Sequence, residues 1–223
     1  MILFDIGANR GDATSMALTI GFDKVIALEP APIIFKELVK NFIYNPHVIP
    51  LKMAVSNSNG ELIKFYEAEE DGLSTMNQDW LTSEDMPYNG KPYRIVEAVT
   101  CTIDWLVEQY GTPDLMKIDV EGAEWSVFRG MTKNHGKLAF EWTDVTLLEH
   151  EEQLDYLHSI GYTQYAPQFI VNHLEEPTEW FDLISFGNSL EDWVESHKED
   201  WISGGWEIAN LRPTADVGMI WVK

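Results

Sequence analysis

Acidic residues stand at the ends of two short apolar runs near the start of the chain. Asp5 lies in the run Leu3–Ile6, which a loop with Gly7 and Gly11 follows, and Glu29 ends the next apolar run. Glycines in such a loop let a ligand approach the backbone closely, and loop amides at the start of a helix attract an anionic group. An acid at the end of the second strand suits the two hydroxyls of a ribose. We therefore predict a nucleoside-binding crevice in the first half of the chain.

The pattern of this loop indicates which cofactor the crevice takes. A dinucleotide site uses GxGxxG, whose glycines let the backbone reach a pyrophosphate, whereas this chain has DxGxNxG from Asp5 to Gly11. The carboxylate of Asp5 would repel a phosphate but suits an ammonium group. S-adenosylmethionine carries an ammonium group and a ribose, so Asp5 for its methionine end and Glu29 for its ribose favour it over NAD. The alternative is an ordinary α/β turn that binds nothing, because short glycine motifs are weak evidence.

A second group of charges follows a later apolar run. The segment Lys117–Glu124 reads KIDVEGAE, and it puts Asp119 and Glu121 at the C-terminal end of a predicted central strand, where ligands of open α/β sheets bind. Acids that favour a helix N-terminus through its dipole explain Glu124 and could explain Glu121. They do not explain a carboxylate at the end of a buried strand, so we interpret Asp119 as a functional residue.

Strands and helices are predicted to alternate, which indicates an α/β fold with a mostly parallel sheet covered by helices on both faces. The strands are predicted at 2–6, 25–29, 48–55, 62–66, 95–100, 115–119, 138–141, 162–165 and 217–222. The helices are predicted at 12–20, 32–42, 104–110, 122–128 and 149–160, with Asp12 capping the first. Residues 67–92 are predicted to form one long loop, which is usually functional or mobile. The whole chain, residues 1–223, is predicted to be a single domain.

The composition limits the partners and the compartment. The chain has 37 acidic against 15 basic residues and a net charge of −22, which disfavours nucleic acid and anionic membranes as partners. Cys101 is the only cysteine. We therefore expect no intrachain disulfide, a cytoplasmic location, and a role for Cys101 as a small core residue. No apolar run has the length of a membrane span, and we expect the short apolar start to be a strand rather than a signal peptide.

Four segments, in order, resemble the FkbM family of class I S-adenosylmethionine-dependent methyltransferases. They are FDIGANRG from Phe4, ALEPAP from Ala27, AVSNSNG from Ala54 and PDLMKIDVEGAEWSVFRG from Pro113. KIDVEGAE is highly specific for the family, whereas the first motif is general to class I methyltransferases. The resemblance implies a Rossmann-like seven-stranded sheet whose last strand is antiparallel, and O-methyl transfer, often onto sugars or polyketides. Arg10 departs from the family pattern, which commonly has an apolar residue there.

The motifs and the resemblance together assign a candidate site. S-adenosylmethionine is predicted to bind at the strand ends and their loops, through Asp5, Gly7, Ala8, Asn9, Gly11, Asp12, Glu29, Pro30, Ala54, Val55 and Asp119. A sugar hydroxyl is a weak acid, so its methylation needs a base or a metal, for which the candidates are Asp119, Glu121, Glu141 and Asp144. We favour Asp119 for the methionine moiety or as the base, and Glu121 or Glu141 for the acceptor. The carboxylates could instead hold Mg²⁺, although no ligand spacing requires a metal.

The last third of the chain is rich in tryptophan. Residues 167–216 resemble no family segment, and we interpret them as a possible acceptor lid before the last strand. Two interpretations of the tryptophans stay open, namely packing in the core and stacking on a pyranose in such a lid. The residues concerned are Trp180, Trp193, Trp201, Trp206 and Trp221.

The predicted function is O-methyl transfer from S-adenosylmethionine to a hydroxyl, most readily of a sugar or glycan. One alternative is an NAD-dependent oxidoreductase, which the missing GxGxxG disfavours. Another is a non-catalytic S-adenosylmethionine-binding subunit, which the intact Asp119 and Glu121 disfavour. A third, a methyltransferase of another small molecule or of a protein side chain, is compatible with the sequence. The oligomeric state is left open.

Overall fold

Strands and helices alternate through the chain, for which a computed structural model describes residues 1–70, 72–84, 86, 88–143, 147–169, 174–187 and 217–223. The strands are β1 (Ile2–Ile6), β2 (Lys24–Leu28), β3 (Val48–Leu51), β4 (Ala54–Val55), β5 (Leu62–Ala68), β6 (Tyr93–Cys101), β7 (Leu115–Ile118), β8 (Lys137–Thr143), β9 (Tyr165–Phe169) and β10 (Val217–Val222). The helices are α1 (Asp12–Thr19), α2 (Pro32–Phe42), α3 (Asp79–Thr82), α4 (Ile103–Tyr110), α5 (Glu124–Phe128) and α6 (Leu147–Ser159). None of the helices in the described ranges is long and apolar enough to cross a lipid bilayer.

Seven of the strands form one sheet, in the order β3-β2-β1-β7-β8-β10-β9. The pairs β3/β2, β2/β1, β1/β7 and β7/β8 are parallel. The last strand, β10, runs antiparallel to both β8 and β9. The predicted α/β class, the mostly parallel seven-stranded sheet and its antiparallel last strand are confirmed.

Alternate residues of the central strands face two separate cores. In β1, Phe4 belongs to a cluster that includes buried residues of α4, α5 and α6, whereas Leu3 belongs to a cluster with Ala17 of α1 and Leu38 of α2. Both strand residues are fully buried, as expected where helices cover both faces of a parallel sheet. The carboxyl ends of the parallel strands are therefore left to the loops that build the site.

A second, smaller sheet of order β4-β6-β5 was not predicted. β5 pairs antiparallel with β6, and β4 pairs parallel with it. The single strand predicted at 48–55 is therefore wrong, since the chain makes β3 in the main sheet and β4 in the small one. Pro50 lies in β3, an edge strand, where its missing N–H is tolerated.

Most other element boundaries differ from the prediction by one or two residues, and three further differences have a clearer structural meaning. The strand predicted at 162–165 lies later, as β9. The helix predicted from residue 122 begins at Glu124, because Gly122 has φ +78°. Asp12 does not cap α1: Gly11 is the N-cap, without a side-chain hydrogen bond, and Asp12 is the first helical residue. Its charge still favours the helix dipole there.

Part of the segment 67–92, predicted as one long loop, is regular structure. β5 continues through Ala68, and Tyr66 pairs with Thr75 as an isolated bridge. Trp80 and Leu81 of α3 are buried and form a small hydrophobic core with Tyr66 and Leu73. These apolar residues, scattered among acids in the sequence, give the segment a core of its own.

Cys101 ends β6 and is 1% exposed. Burial raises the pKa of its thiol to about 12. The thiol therefore stays protonated and unreactive at neutral pH, which agrees with the predicted core role.

Two of the five C-terminal tryptophans lie in the described part of the chain. Trp221 is buried in β10 and donates its indole N–H to Gln168 Oε1 at 2.6 Å. Trp180 is half-buried, donates to the Pro177 carbonyl at 2.9 Å, and has Lys223 Nζ 3.7 Å from its ring centroid. Both pack within the fold. Trp193, Trp201 and Trp206 lie outside the described residues, as does most of the lid predicted at 167–216.

Candidate functional site

A cavity of about 310 Å³ opens at the carboxyl ends of β1, β2 and β7. All but two of the residues predicted to bind the cofactor line it, namely Gly7, Ala8, Asn9, Asp12, Glu29, Pro30, Ala54, Val55 and Asp119. Residues of the 67–92 segment, from Ala68 to Met76, close one side. The topology thus brings distant motifs together, and their binding of a cofactor stays a prediction.

The two loop glycines lie where the packing of the fold leaves no room for a side chain, and ligand approach to the loop backbone stays a prediction. Gly7 has φ +77°, and a Cβ there would lie 1.8 Å from the Asp119 carbonyl oxygen. Gly11 has φ +97°, and its Cβ would lie 2.2 Å from the ring of Phe42. Gly11 does not line the cavity. Both positions require glycine, because any side chain would push the loop away from β7 or from α2.

Glu29 presents its carboxylate to the cavity just after β2. One oxygen accepts the N–H of Ala31 at 2.8 Å and the other accepts the N–H of Asn9 at 3.0 Å. Burial outweighs these bonds and raises the pKa of Glu29 to about 7. The Oδ1 of Asn9 is itself buried and has no hydrogen-bond partner among the described residues. This wall therefore holds polar groups suited to a diol.

Asp5 lies beneath the cavity rather than in its wall. Its carboxylate is fully buried and accepts a hydrogen bond from the Thr14 hydroxyl at 2.6 Å. Burial raises its pKa, and the ammonium of Lys117, 3.9 Å away, opposes that shift. Direct binding of a ligand by Asp5 stays a prediction, since the structure shows contact only with neighbouring side chains.

Lys117 is a site residue to which sequence reasoning assigned no role. It lines the cavity, and its Nζ lies 2.9 Å from Asp119 Oδ2 and donates to the Gly7 carbonyl at 3.2 Å. Although burial opposes its charge, Asp119 and Asp5 raise the pKa of Lys117 above its ordinary value. A lysine in the otherwise apolar run 115–118 was the available signal, because buried lysines need a partner.

Three carboxylates meet beside this lysine. Oxygen atoms of Asp119, Glu121 and Glu141 lie within 4.8 Å of one another. Burial, and then the charge of Asp119, raise the pKa of both Glu121 and Glu141 well above the ordinary value. The predicted catalytic residues are thus brought together. Asp144, the fourth candidate, lies outside the described residues.

Such a cluster can share protons, accept a proton from a bound hydroxyl, or hold a hard cation such as Mg²⁺. The ammonium of Lys117 at Asp119 competes with a cation for the same oxygen. Glu124 has a structural contact, since its Oε1 accepts the backbone N–H of Val120 at 3.1 Å, while its charge helps to raise the pKa of Glu121 and Glu141. Its predicted structural role agrees with that contact.

Two aromatic residues of the 67–92 segment face the cluster, and sequence reasoning missed both. Trp80 donates its indole N–H to Glu121 Oε2 at 3.1 Å. Tyr88 packs on Trp80, with ring centroids 5.3 Å apart. Burial, and then the charges of Glu121 and Glu141, raise the pKa of the Tyr88 phenol. Both residues lie in an acidic, polar segment with no motif, and its sequence gives no signal for this role.

The sequence of this chain is similar to known methyltransferases. The model of the methyltransferase FkbM domain matches residues 5–163. Hexuronic acid methyltransferase AglP of Haloferax volcanii is 30% identical over 134 residues, which are 59% of this chain and 50% of that protein. Methyltransferase sdnD of Sordaria araneosa is 32% identical over 161 residues, which are 61% of this chain and 62% of that protein. The chain therefore spans between half and about three-fifths of these relatives.

Solved structures with a similar backbone are more distant. A precorrin-6y C5,15-methyltransferase of Geobacter metallireducens has a TM-score of 0.45 at 10% identity, covering 100% of this chain and 80% of that one. Fibrillarin of Aeropyrum pernix has a TM-score of 0.45 at 12% identity, covering 100% of this chain and 65% of that one.

Proposed function

Because the chain belongs to the FkbM methyltransferase family, we propose that it is an S-adenosylmethionine-dependent O-methyltransferase acting on a hydroxyl of a sugar or glycan. One observation carries the proposal. The carboxylates of Asp119, Glu121 and Glu141 lie within 4.8 Å of one another, and Asp119 and Glu121 line a cavity that the family's cofactor motifs also line.

The cavity offers groups that fit each part of this cofactor. Glu29, which lines the cavity, suits the ribose hydroxyls. Val55 and Phe65 give an apolar wall for the adenine faces. The ion pair of Lys117 and Asp119 presents one positive and one negative group, which match the carboxylate and ammonium of the methionine end. When bound, S-adenosylmethionine supplies a methyl group that its sulfonium charge already activates.

The chain's own part is then to align the acceptor oxygen and to take its proton. Asp119 is ion-paired with Lys117, so we assign proton acceptance to Glu121 or Glu141. Their raised pKa values, caused by burial and by the charge of Asp119, give them more proton affinity than an ordinary carboxylate, which favours a general base at neutral pH.

The charge of the site supports a neutral hydroxyl rather than a carboxylate as acceptor. A sugar hydroxyl can donate hydrogen bonds to Glu121 or Glu141. A uronic acid, the substrate class in the name of the AglP relative, would bring a further carboxylate to three that face the single ammonium of Lys117. Like charges at this range repel strongly where burial lowers the dielectric.

The composition of the chain supports two further parts of the proposal, which concern its partners and its compartment. The net charge of −22 supports action without nucleic acid or a membrane surface as partner. The lone, buried Cys101 agrees with a cytoplasmic protein, since it leaves no intrachain disulfide to form.

A panel of neutral sugars and the matching uronic acids, supplied with S-adenosylmethionine, tests the proposal. Formation of S-adenosylhomocysteine and the mass of the methylated product would be followed for the wild type and for Glu121→Gln and Glu141→Gln. Glu108→Gln, at an exposed position of α4, is the matched control. We expect turnover of neutral acceptors that the two cluster variants lose and the control keeps. Turnover of uronic acids alone would refute the acceptor class, and a protein that does not bind S-adenosylhomocysteine in calorimetry would refute the function.

A further inference from the structure

We propose that Trp80 is a positioning residue for methyl transfer, which holds Glu121 and the turn after β7 in place against the carboxylate cluster. The inference rests on the proposed function and deepens it, because it assigns the 67–92 segment a part in the reaction site. Two sets of contacts and one backbone conformation carry it.

The first contact is the hydrogen bond from the Trp80 indole to Glu121 Oε2 at 3.1 Å. Trp80 is 2% exposed, so water cannot readily replace this partner for its N–H. A buried indole N–H needs an acceptor, and here the acceptor is a carboxylate of the cluster. The bond to one oxygen fixes the direction in which the other oxygen of Glu121 points.

The second contact is steric and falls on the next residue. A Cβ at Gly122 would lie 2.5 Å from Cε3 of Trp80, so the indole ring rests directly on the Gly122 backbone. Asn77, three residues before Trp80, donates its side-chain N–H to the Gly122 carbonyl at 3.0 Å. The segment 77–80 thus contacts the turn at Gly122 through two of its side chains.

The third observation is the backbone conformation of the turn that these contacts hold. Glu121 has φ +56° and Gly122 has φ +78°. A glutamate with positive φ is uncommon, and such backbone strain persists only where surrounding contacts determine it. Here the contacts of Trp80 and Asn77 with the turn hold the backbone of Glu121 in this conformation. Without them, the carboxylate of Glu121 would be free to leave the cluster.

Trp80 is itself firmly placed. It belongs to the small core of Tyr66, Leu73 and Leu81, and Tyr88 packs on its ring. The same segment lines the cavity through Ala68, Glu69, Glu70, Gly72, Ser74 and Met76. Trp80 therefore connects the wall of the cavity to the turn at Glu121 and Gly122.

Replacement of Trp80 by Phe tests this role, because Phe keeps an aromatic ring in the small core and removes only the N–H and part of the ring. Trp105→Phe is the control, since Trp105 is half-buried in α4 and packs on Tyr110 with centroids 6.4 Å apart. We expect Trp80→Phe to lower kcat about tenfold or more, the size of one lost hydrogen bond to a charged group. We expect its melting temperature and its affinity for S-adenosylhomocysteine to match those of the control.

A second readout does not depend on turnover. The nine tryptophans give separate indole N–H signals in a ¹H–¹⁵N spectrum, and the signal of Trp80 is the one that Trp80→Phe removes. We expect Glu121→Gln to shift that signal more than any other indole signal, and Glu108→Gln to leave it unmoved.

The outcomes separate this role from the proposed function. A wild type with turnover, whose kcat survives Trp80→Phe as well as it survives Trp105→Phe, refutes the positioning role alone. If Glu121→Gln leaves the indole N–H signal of Trp80 unshifted, the hydrogen bond is absent in solution and the positioning role is refuted. A wild type that neither binds S-adenosylhomocysteine nor transfers a methyl group refutes the proposed function, and this role with it.

Discussion

The ionisation of Glu29 should affect both the stability of the fold and, under the proposed function, the binding of the cofactor, and pH separates the two effects. Its side chain is 6% exposed, and burial outweighs its hydrogen bonds from Ala31 and Asn9, raising its pKa from 4.5 to about 7. Between these values the unfolded chain has released the proton and the folded chain still holds it. Binding of this proton therefore stabilises the folded state. The contribution to the free energy of unfolding is complete below pH 4.5 and is lost as the pH rises to 7.

The size of this loss follows from the pKa shift. The difference between 4.5 and about 7 corresponds to about 3.4 kcal/mol, of which about 2.5 kcal/mol develops between pH 5 and pH 8. Glu29→Gln has no proton to release, so relative to the wild type its free energy of unfolding should rise by that amount across the range. A glutamine also offers one carbonyl to two backbone N–H groups, which lowers its stability by a pH-independent amount.

Urea unfolding of both proteins at several pH values measures the difference, and Glu108→Gln shows the effect of losing a surface charge on α4. Cofactor binding should respond in the opposite direction. Under the proposed function the ionised carboxylate accepts the ribose hydroxyls, so affinity for S-adenosylhomocysteine should rise from pH 5 to pH 7. In Glu29→Gln at pH 8 the binding should be weaker by roughly 1.5–3 kcal/mol. A stability difference that does not change with pH, or calorimetric affinity unchanged in the variant, would refute this reasoning.

Four further predictions concern the cluster and its lysine. Asp119→Asn should retain the fold and lose most turnover, because its ion pair with Lys117 is broken; near-normal turnover at an unchanged melting temperature would remove Asp119 from the site. The kcat should rise with pH through the raised pKa of Glu121 and Glu141, since a proton acceptor must be ionised; a kcat already maximal at pH 5 would contradict their role. Lys117→Met should cost about 3–5 kcal/mol of unfolding free energy, as expected when buried carboxylates lose their cation, and a loss below about 1 kcal/mol in urea would show that Asp5 and Asp119 need no partner. EDTA should leave turnover unchanged, because Lys117 already occupies Asp119; loss that Mg²⁺ restores would reassign the cluster as a metal site.

The sequence predicted the parts of the fold that depend on local pattern. β1, β2 and β7 are buried apolar runs bounded by turn residues, and parallel pairing places their carboxyl ends side by side. That topology alone was enough to bring Glu29 and Asp119 to one cavity. The small sheet could not be predicted in the same way, because β4 has only two residues and exists through its pairing with β6, far along the chain.

Residues whose roles depend on contacts across the fold were the ones missed. Trp80 reaches Glu121 across 41 positions of sequence, and nothing in the acidic segment around it indicates that partner. The prediction that Gly7 lets a ligand approach the backbone stays a prediction, and the structure adds a second reason for glycine there, which is that a Cβ would lie 1.8 Å from the carbonyl oxygen of Asp119.

The role of Glu121 follows only when the sequence and the structure are considered together. From sequence, an acid in this position could serve a helix N-terminus, although we favoured a role for Glu121 at the acceptor. In the structure, Glu124 accepts the N–H of Val120 just before α5, which is the contact expected of a helix-terminal acid. Glu121 instead has a left-handed backbone and directs its carboxylate toward Trp80 and two other acids. Strain at a residue that stabilises no helix end is better explained by function than by folding, and this distinction makes Glu121 the side chain on which the proposed reaction most directly depends.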